Sequence, residues 1–207
     1  MHCDYIDYYR GDDLLKFIEA KPFNFSSIKD ISNSQLNQHY ILYTRYISAT
    51  NKATVELSNN LTYENCNMNF SNLWCAIVTR SFNLDAVKLH ELYFENMTGL
   101  NNKMHGKIDD VITQTFGSYD NFKEKFKCIG LTMRGWVVFC YDSFTNDYYI
   151  YGQDSHNTEI IMNTYPIIVM DVYEHAYMID FGIDKGAYIE AFFRNLDFKV
   201  VNNRLGN

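Results

Sequence analysis

Residues 166–178 read PIIVMDVYEHAYM. An apolar run rich in β-branched residues breaks at Asp171, and His175 follows four positions later. Such a run reads as a strand. A carboxylate at the end of a buried strand is costly unless engaged. A chain that turns there from strand to helix can aim Asp171 and His175 at one point. An N-cap aspartate with a nearby histidine is the plainer reading of the same pair.

Working upstream, WVVFCYD (136–142) and DYYIYGQ (147–153) are two more aromatic and β-branched runs separated by polar turns. Together the three predict a small antiparallel sheet. Before Gly106 the character is helical. Ser32 and Gln35 resemble a capping box, and the stretch from Asn33 to about Leu57 holds no Gly or Pro, as expected of a long helix. Leu73–Met97 predicts a second, and the Asn-rich residues 58–69 would join the two as a hairpin. Short helices are expected over 107–115 and 118–132, with a last helical stretch after Asp184. The expected class is α+β: a helical hairpin domain over 1–100 and a C-terminal α/β domain with a three-stranded antiparallel sheet over 101–207.

With 207 residues, 47% of them hydrophobic, the chain can bury a substantial core without disulfides. Its formal net charge of -7 lacks the basic footprint of a nucleic-acid binder, so no nucleic-acid partner is expected. Cys3, Cys66, Cys75, Cys128 and Cys140 form no CxxC pair and no regular spacing, which argues for a reducing compartment. The N-terminus lacks the basic and apolar regions of a signal peptide, and no apolar stretch is long enough for a membrane span. A cytoplasmic protein with no membrane partner is expected.

Of the six histidines, His39 and His90 fall on the two predicted hairpin helices. Either alone is more often a surface or satisfied core residue. Taken with Asp171 and His175, they would supply three imidazoles and one carboxylate without thiolate. That donor set favours iron or manganese over a closed structural zinc site.

At these residues the chain resembles the iron/manganese superoxide dismutases. The run DVYEHAYMIDFGIDKGAYIEAFFRNLDFKVVNNRL (171–205) is similar to the family's C-terminal signature, and FGSYDNFKEKF (116–126) and RGWVVFCYD (134–142) match family motifs in order. The likeness is looser over 31–98. It departs where Tyr173 replaces a Trp, where LYFEN (92–96) lacks a common Trp, and where an N-terminal Pro-Tyr segment is absent.

The resemblance implies one iron or manganese ion per chain, held by His39 in QLNQHYILYTRY, His90 in AVKLHELYFEN, Asp171 and His175. It implies superoxide as substrate and a homodimer or tetramer. In one branch a histidine fifteen residues before the ligand Asp hydrogen-bonds the solvent on the metal, and His156 holds that position, while Ala86 and Thr132 stand where other members carry a glutamine. Glu174 would reach a ligand His across a two-fold interface, with Tyr177 beside it. The family places a gate Tyr eight residues after the first ligand. Here that position is Ile47, and Tyr46 precedes it. A regular helix returns to within about 20° after seven residues, which would put Tyr46 over the metal, whereas an ungapped match would put Ile47 there. A non-enzymatic structural subunit of the same fold is the alternative, and such a member would typically lose ligands.

Overall fold

The computed structural model describes residues 9–10 and 13–205, with side chains from Leu15 onward. Strands β1 (Tyr9–Arg10) and β2 (Asp13–Leu14) form a two-residue ladder. Helices α1 (Asn33–Ser58) and α2 (Asn72–Asn96) pack on each other as the hairpin. Cys3 and the start of the chain lie outside the described residues.

Each long helix starts at a serine. Ser32 Oγ accepts from the Gln35 amide and Ser71 Oγ from the Trp74 amide, satisfying one free helix-end donor each. The capping box at Ser32 is only half formed, because the Gln35 side chain points elsewhere.

Helices α3 (Lys107–Phe116) and α4 (Tyr119–Thr132) lead into β3 (Trp136–Asp142), β4 (Asp147–Gln153) and β5 (Thr164–Asp171). The sheet is antiparallel in the order β4-β3-β5. β5 starts two residues earlier than the residue pattern suggests, so Pro166 lies inside a strand. The sheet order makes β5 an edge, where a missing N–H is tolerated, and the ladder shifts register between Phe139 and Cys140, opposite Pro166.

α2 covers the β5 edge. The Asn96 side chain acts there like one more peptide unit: its Nδ2 donates to the Val169 carbonyl at 3.2 Å and its Oδ1 accepts from the Val169 amide at 2.9 Å. α5 (Met178–Phe181), α6 (Lys185–Asn195) and α7 (Phe198–Leu205) complete the chain. Arg204 on α7 donates to the Ile167 and Leu92 carbonyls and to Glu95, tying the last helix to β5 and α2. One buried apolar cluster runs from Leu36 and Tyr93 on the hairpin through Phe139 and Val169 of the sheet to Phe192 and Phe198.

Candidate metal centre

The hairpin and the sheet meet at four side chains. His39 comes from α1, His90 from α2 and Asp171 from the last position of β5. His175 does not sit on an α-helix. Residues Glu174–Ala176 form a single 3-10 turn, because Asp171 Oδ1 accepts from the Tyr173 amide at 2.9 Å and folds the chain sharply after the strand. The other carboxylate oxygen is left facing the cluster.

Asp171 Oδ2 lies 3.1 Å from His39 Nε2, 3.1 Å from His175 Nε2 and 3.5 Å from His90 Nε2. The four donor atoms all fall within 4.8 Å of one another. His39, His90 and Asp171 are buried, while His175 is partly exposed. Burial opposes ionisation of Asp171, yet His175 and His39 beside it hold the carboxyl well below the usual carboxylate range. Burial pushes His39 down, and burial together with the neighbouring His39 pushes His90 down further. At neutral pH these two rings are therefore neutral, the form that ligates metal.

The donor set fits a metal ion. His90 Nδ1 donates to the Ala86 carbonyl at 2.7 Å, which leaves the Nε2 lone pair directed at the cluster, and this buried Nε2 has no hydrogen-bond partner. An orphaned acceptor at full burial is costly. A cation among three imidazole nitrogens and a carboxylate removes that cost.

The match to known proteins agrees with the site. Residues 104–204 match the model of the iron/manganese superoxide dismutases, C-terminal domain. A superoxide dismutase [Fe] of Aquifex pyrophilus is 32% identical over 188 residues, covering 89% of this chain and 87% of the relative. The chain belongs to the iron/manganese superoxide dismutase family. A second iron enzyme, from Aquifex aeolicus, is likewise 32% identical over 188 residues. A superoxide dismutase [Mn] of Haloferax volcanii is 27% identical over 184 residues, covering 87% of this chain and 90% of the relative.

As in its relatives' names, the reaction of this superoxide dismutase is the conversion of two superoxide anions and two protons to oxygen and hydrogen peroxide. Its metal site is mononuclear and accommodates iron or manganese.

Around the ligands the chain builds a wall of rings. Tyr46 Oη lies 3.0 Å from His156 Nε2, on an α1 that runs as an unbroken α-helix. Trp136 Nε1 donates to His156 Nδ1 at 3.0 Å. Both ring nitrogens of His156 are thus engaged. Ile47 is buried in the hairpin core. Phe82 packs edge-on against His156 with ring centroids 4.7 Å apart, and Tyr173 stacks on His175 at 5.1 Å. Glu174 is exposed next to His175, and Tyr177 is buried against Tyr188.

Sequence reasoning overlooked Trp136, Gln35 and Tyr188 as parts of the site. Trp136 stands directly opposite Asp171 in the β3–β5 register, so the pairing of the two strands carries that signal. Gln35 Nε2 donates to the His175 carbonyl at 2.6 Å and its Oε1 accepts from the Ile179 amide at 3.0 Å. Tyr188 donates to the Asp171 carbonyl at 2.8 Å. These contacts join residues far apart in the chain, which spacing does not show.

Proposed function

We propose that Tyr46 and His156 form the proton-handling pair of this superoxide dismutase, with Trp136 fixing how the proton is placed. The observation that carries this reading is the double engagement of His156. Because Nδ1 accepts from Trp136, the proton of the neutral ring resides on Nε2, and Nε2–H donates to Tyr46 Oη. The Tyr46 hydroxyl proton is then free to turn toward the ligand cluster. Burial drives the His156 pKa down to about 4 and the Tyr46 pKa upward, so both are neutral at physiological pH.

A bound iron or manganese ion supplies the one-electron couple that separates oxidation of one superoxide from reduction of the next. The ligands hold that ion. Tyr46 Oη would give its proton to the product peroxide, His156 Nε2–H would hold the oxygen in place while it carries charge, and solvent water would return the proton to it. The rings of Phe82, Trp136 and Tyr173 pack around His156, an enclosure that favours a small anion drawn by the positive charge of the centre.

Glu174 and Tyr177 support a two-fold contact between chains at the partly exposed side of His175, through which the Glu174 carboxylate would orient the partner's ring. A cytoplasmic setting is supported by the free thiols Cys66, Cys75 and Cys128 on the surface. Among the described residues no helix is long and apolar enough to cross a membrane. Elemental analysis with a superoxide-consumption assay tests the catalytic reading: a protein carrying only zinc, or carrying iron or manganese without consuming superoxide, overturns it.

A further inference from the structure

Among the described residues, three buried side-chain atoms have no hydrogen-bond partner: His39 Nδ1, His90 Nε2 and Gln153 Oε1. The first two belong to rings of the metal centre. Gln153 does not. It closes β4, is 1% exposed, and donates from Nε2 to the Thr158 carbonyl at 2.8 Å. That bond fixes which end of the amide is nitrogen, since a carbonyl accepts only from a donor. The other end is a buried acceptor left without a donor, which is costly.

Gln153 lies in the lining of an open groove of about 520 Å³. α2 contributes Leu89 and Leu92 to that lining, β4 contributes Tyr151, and the connection from β4 to β5 contributes Ile160 and Ile161. The polar groups around them are answered within the chain. Lys21 pairs with Glu91 and Glu95, Lys88 pairs with Asp85, and Thr164 Oγ1 donates to the Ile161 carbonyl. The groove therefore offers apolar surface, a tyrosine ring, no unmatched charge and one acceptor without a donor. Its volume falls within the ~300–1,000 Å³ of small-molecule sites.

We propose that this groove binds a neutral aromatic molecule bearing a hydroxyl or N–H donor, a phenol in the simplest case. The ring lies among Leu89, Tyr151 and Ile161, and the donor meets Gln153 Oε1. That oxygen makes no bond that it must give up, so the carboxamide turns toward the groove about its Thr158 bond at little cost. An ion is disfavoured, because desolvating it among apolar side chains is costly and no free countercharge remains to meet it. A molecule without a donor leaves Oε1 as it is.

The site is distinct from the metal centre. Gln153 pairs with Trp136 in the β3–β4 register and Leu89 precedes His90 in the chain, yet no metal ligand lines the groove.

Equilibrium dialysis of the metal-loaded protein against 1-naphthol and 1-methoxynaphthalene tests the site, since the two probes share a ring system and only the first has a donor. Wild type should bind 1-naphthol about tenfold more tightly, the factor expected of one hydrogen bond to an otherwise unpaired buried oxygen. Gln153→Met keeps the side-chain length and removes the acceptor, so the two probes should bind it equally. Ile161→Asp sets a charge in the lining at a position 38% exposed, and should weaken both probes by about tenfold. Equal affinity of the two probes for wild type overturns the proposal, as does a preference for 1-naphthol that survives Gln153→Met. Binding that Ile161→Asp leaves unchanged puts the probes elsewhere and overturns it too, as does a lack of saturable binding at millimolar 1-naphthol. If Gln153→Met fails to fold, the two probes on wild type and on Ile161→Asp still decide the matter. Metal content and superoxide consumption should be unchanged in Ile161→Asp, so failure here is distinct from failure of the metal reading.

Discussion

Gln35 at the start of α1 holds the turn that carries His175 from both sides, donating to the His175 carbonyl at 2.6 Å and accepting from the Ile179 amide at 3.0 Å. Ser32 adds a third link, its amide donating to Asp180 Oδ2 at 2.6 Å. The first ligand helix thereby positions the fourth ligand through that ligand's backbone. Gln35→Leu keeps the volume and removes both bonds, leaving two backbone groups without partners. A stability loss of about 2–3 kcal/mol is expected, together with weaker metal retention. Chemical unfolding and metal release to a chelator measure the two effects, and an unchanged release rate would leave Gln35 a cap residue only.

Trp136→Phe should free His156 Nδ1 and allow its ring to take either tautomer. Turnover should fall and its pH profile should change, while metal content stays close to one ion per chain. Tyr46→Phe should alter the same profile. If either variant matches wild type across pH 6–10, that residue has no part in moving protons.

His156 also makes folding sensitive to acid. Its pKa lies at about 4 in the folded chain, because it is buried, against 6.5 ordinarily. The unfolded chain therefore takes up the proton first, and the stability from the neutral ring is full above pH 6.5 and lost as pH falls through 4. A tenfold change in proton affinity is worth about 1.4 kcal/mol, so the full loss should be about 3 kcal/mol. Urea unfolding of wild type and His156→Gln at pH 7, 5.5 and 4.5 isolates it: the gap between the two should narrow as pH falls.

Removing the metal should expose the cost of the site it leaves. Asp171 then sits among His39, His90 and His175 with the His90 Nε2 orphaned, and the apoprotein should melt several degrees lower. His90→Ala should abolish metal binding while the fold survives, as far-UV circular dichroism and elemental analysis would show. Near-stoichiometric metal in that variant would remove His90 from the ligand set.

Glu174→Ala should lower the particle mass and loosen the metal together, since one carboxylate would serve both. A change in only one of the two would separate the interface from the metal.

Local chemistry made much of this legible in the chain. The absence of Gly and Pro after Ser32, the strand runs beginning at Trp136 and Asp147, and the strand end at Asp171 all act within a few residues, and the elements formed there. The ligand types were readable for the same reason. What escaped depends on contacts between distant segments. Gln35 looked like half of a capping box, but its amide is taken up 140 positions away at His175. Trp136 looked like a core strand residue until the β3–β5 pairing set it beside Asp171. The turn after Asp171 tightened to 3-10 because one side-chain oxygen capped it, a choice the four-residue spacing does not encode.

The distance along the chain between His39 and Asp171, 132 positions, bears on which metal the enzyme acquires. Bringing such remote segments together costs chain entropy before any ligand can share an ion, and contacts of this span form late in folding. Capture by all four ligands would therefore wait until the sheet is paired and both long helices are in place. By then three of the four ligands are buried, and exchange would call for a local opening of the fold. Which ion is held becomes a record of what was abundant when the chain closed, so the growth medium should change the metal content more than any later dialysis.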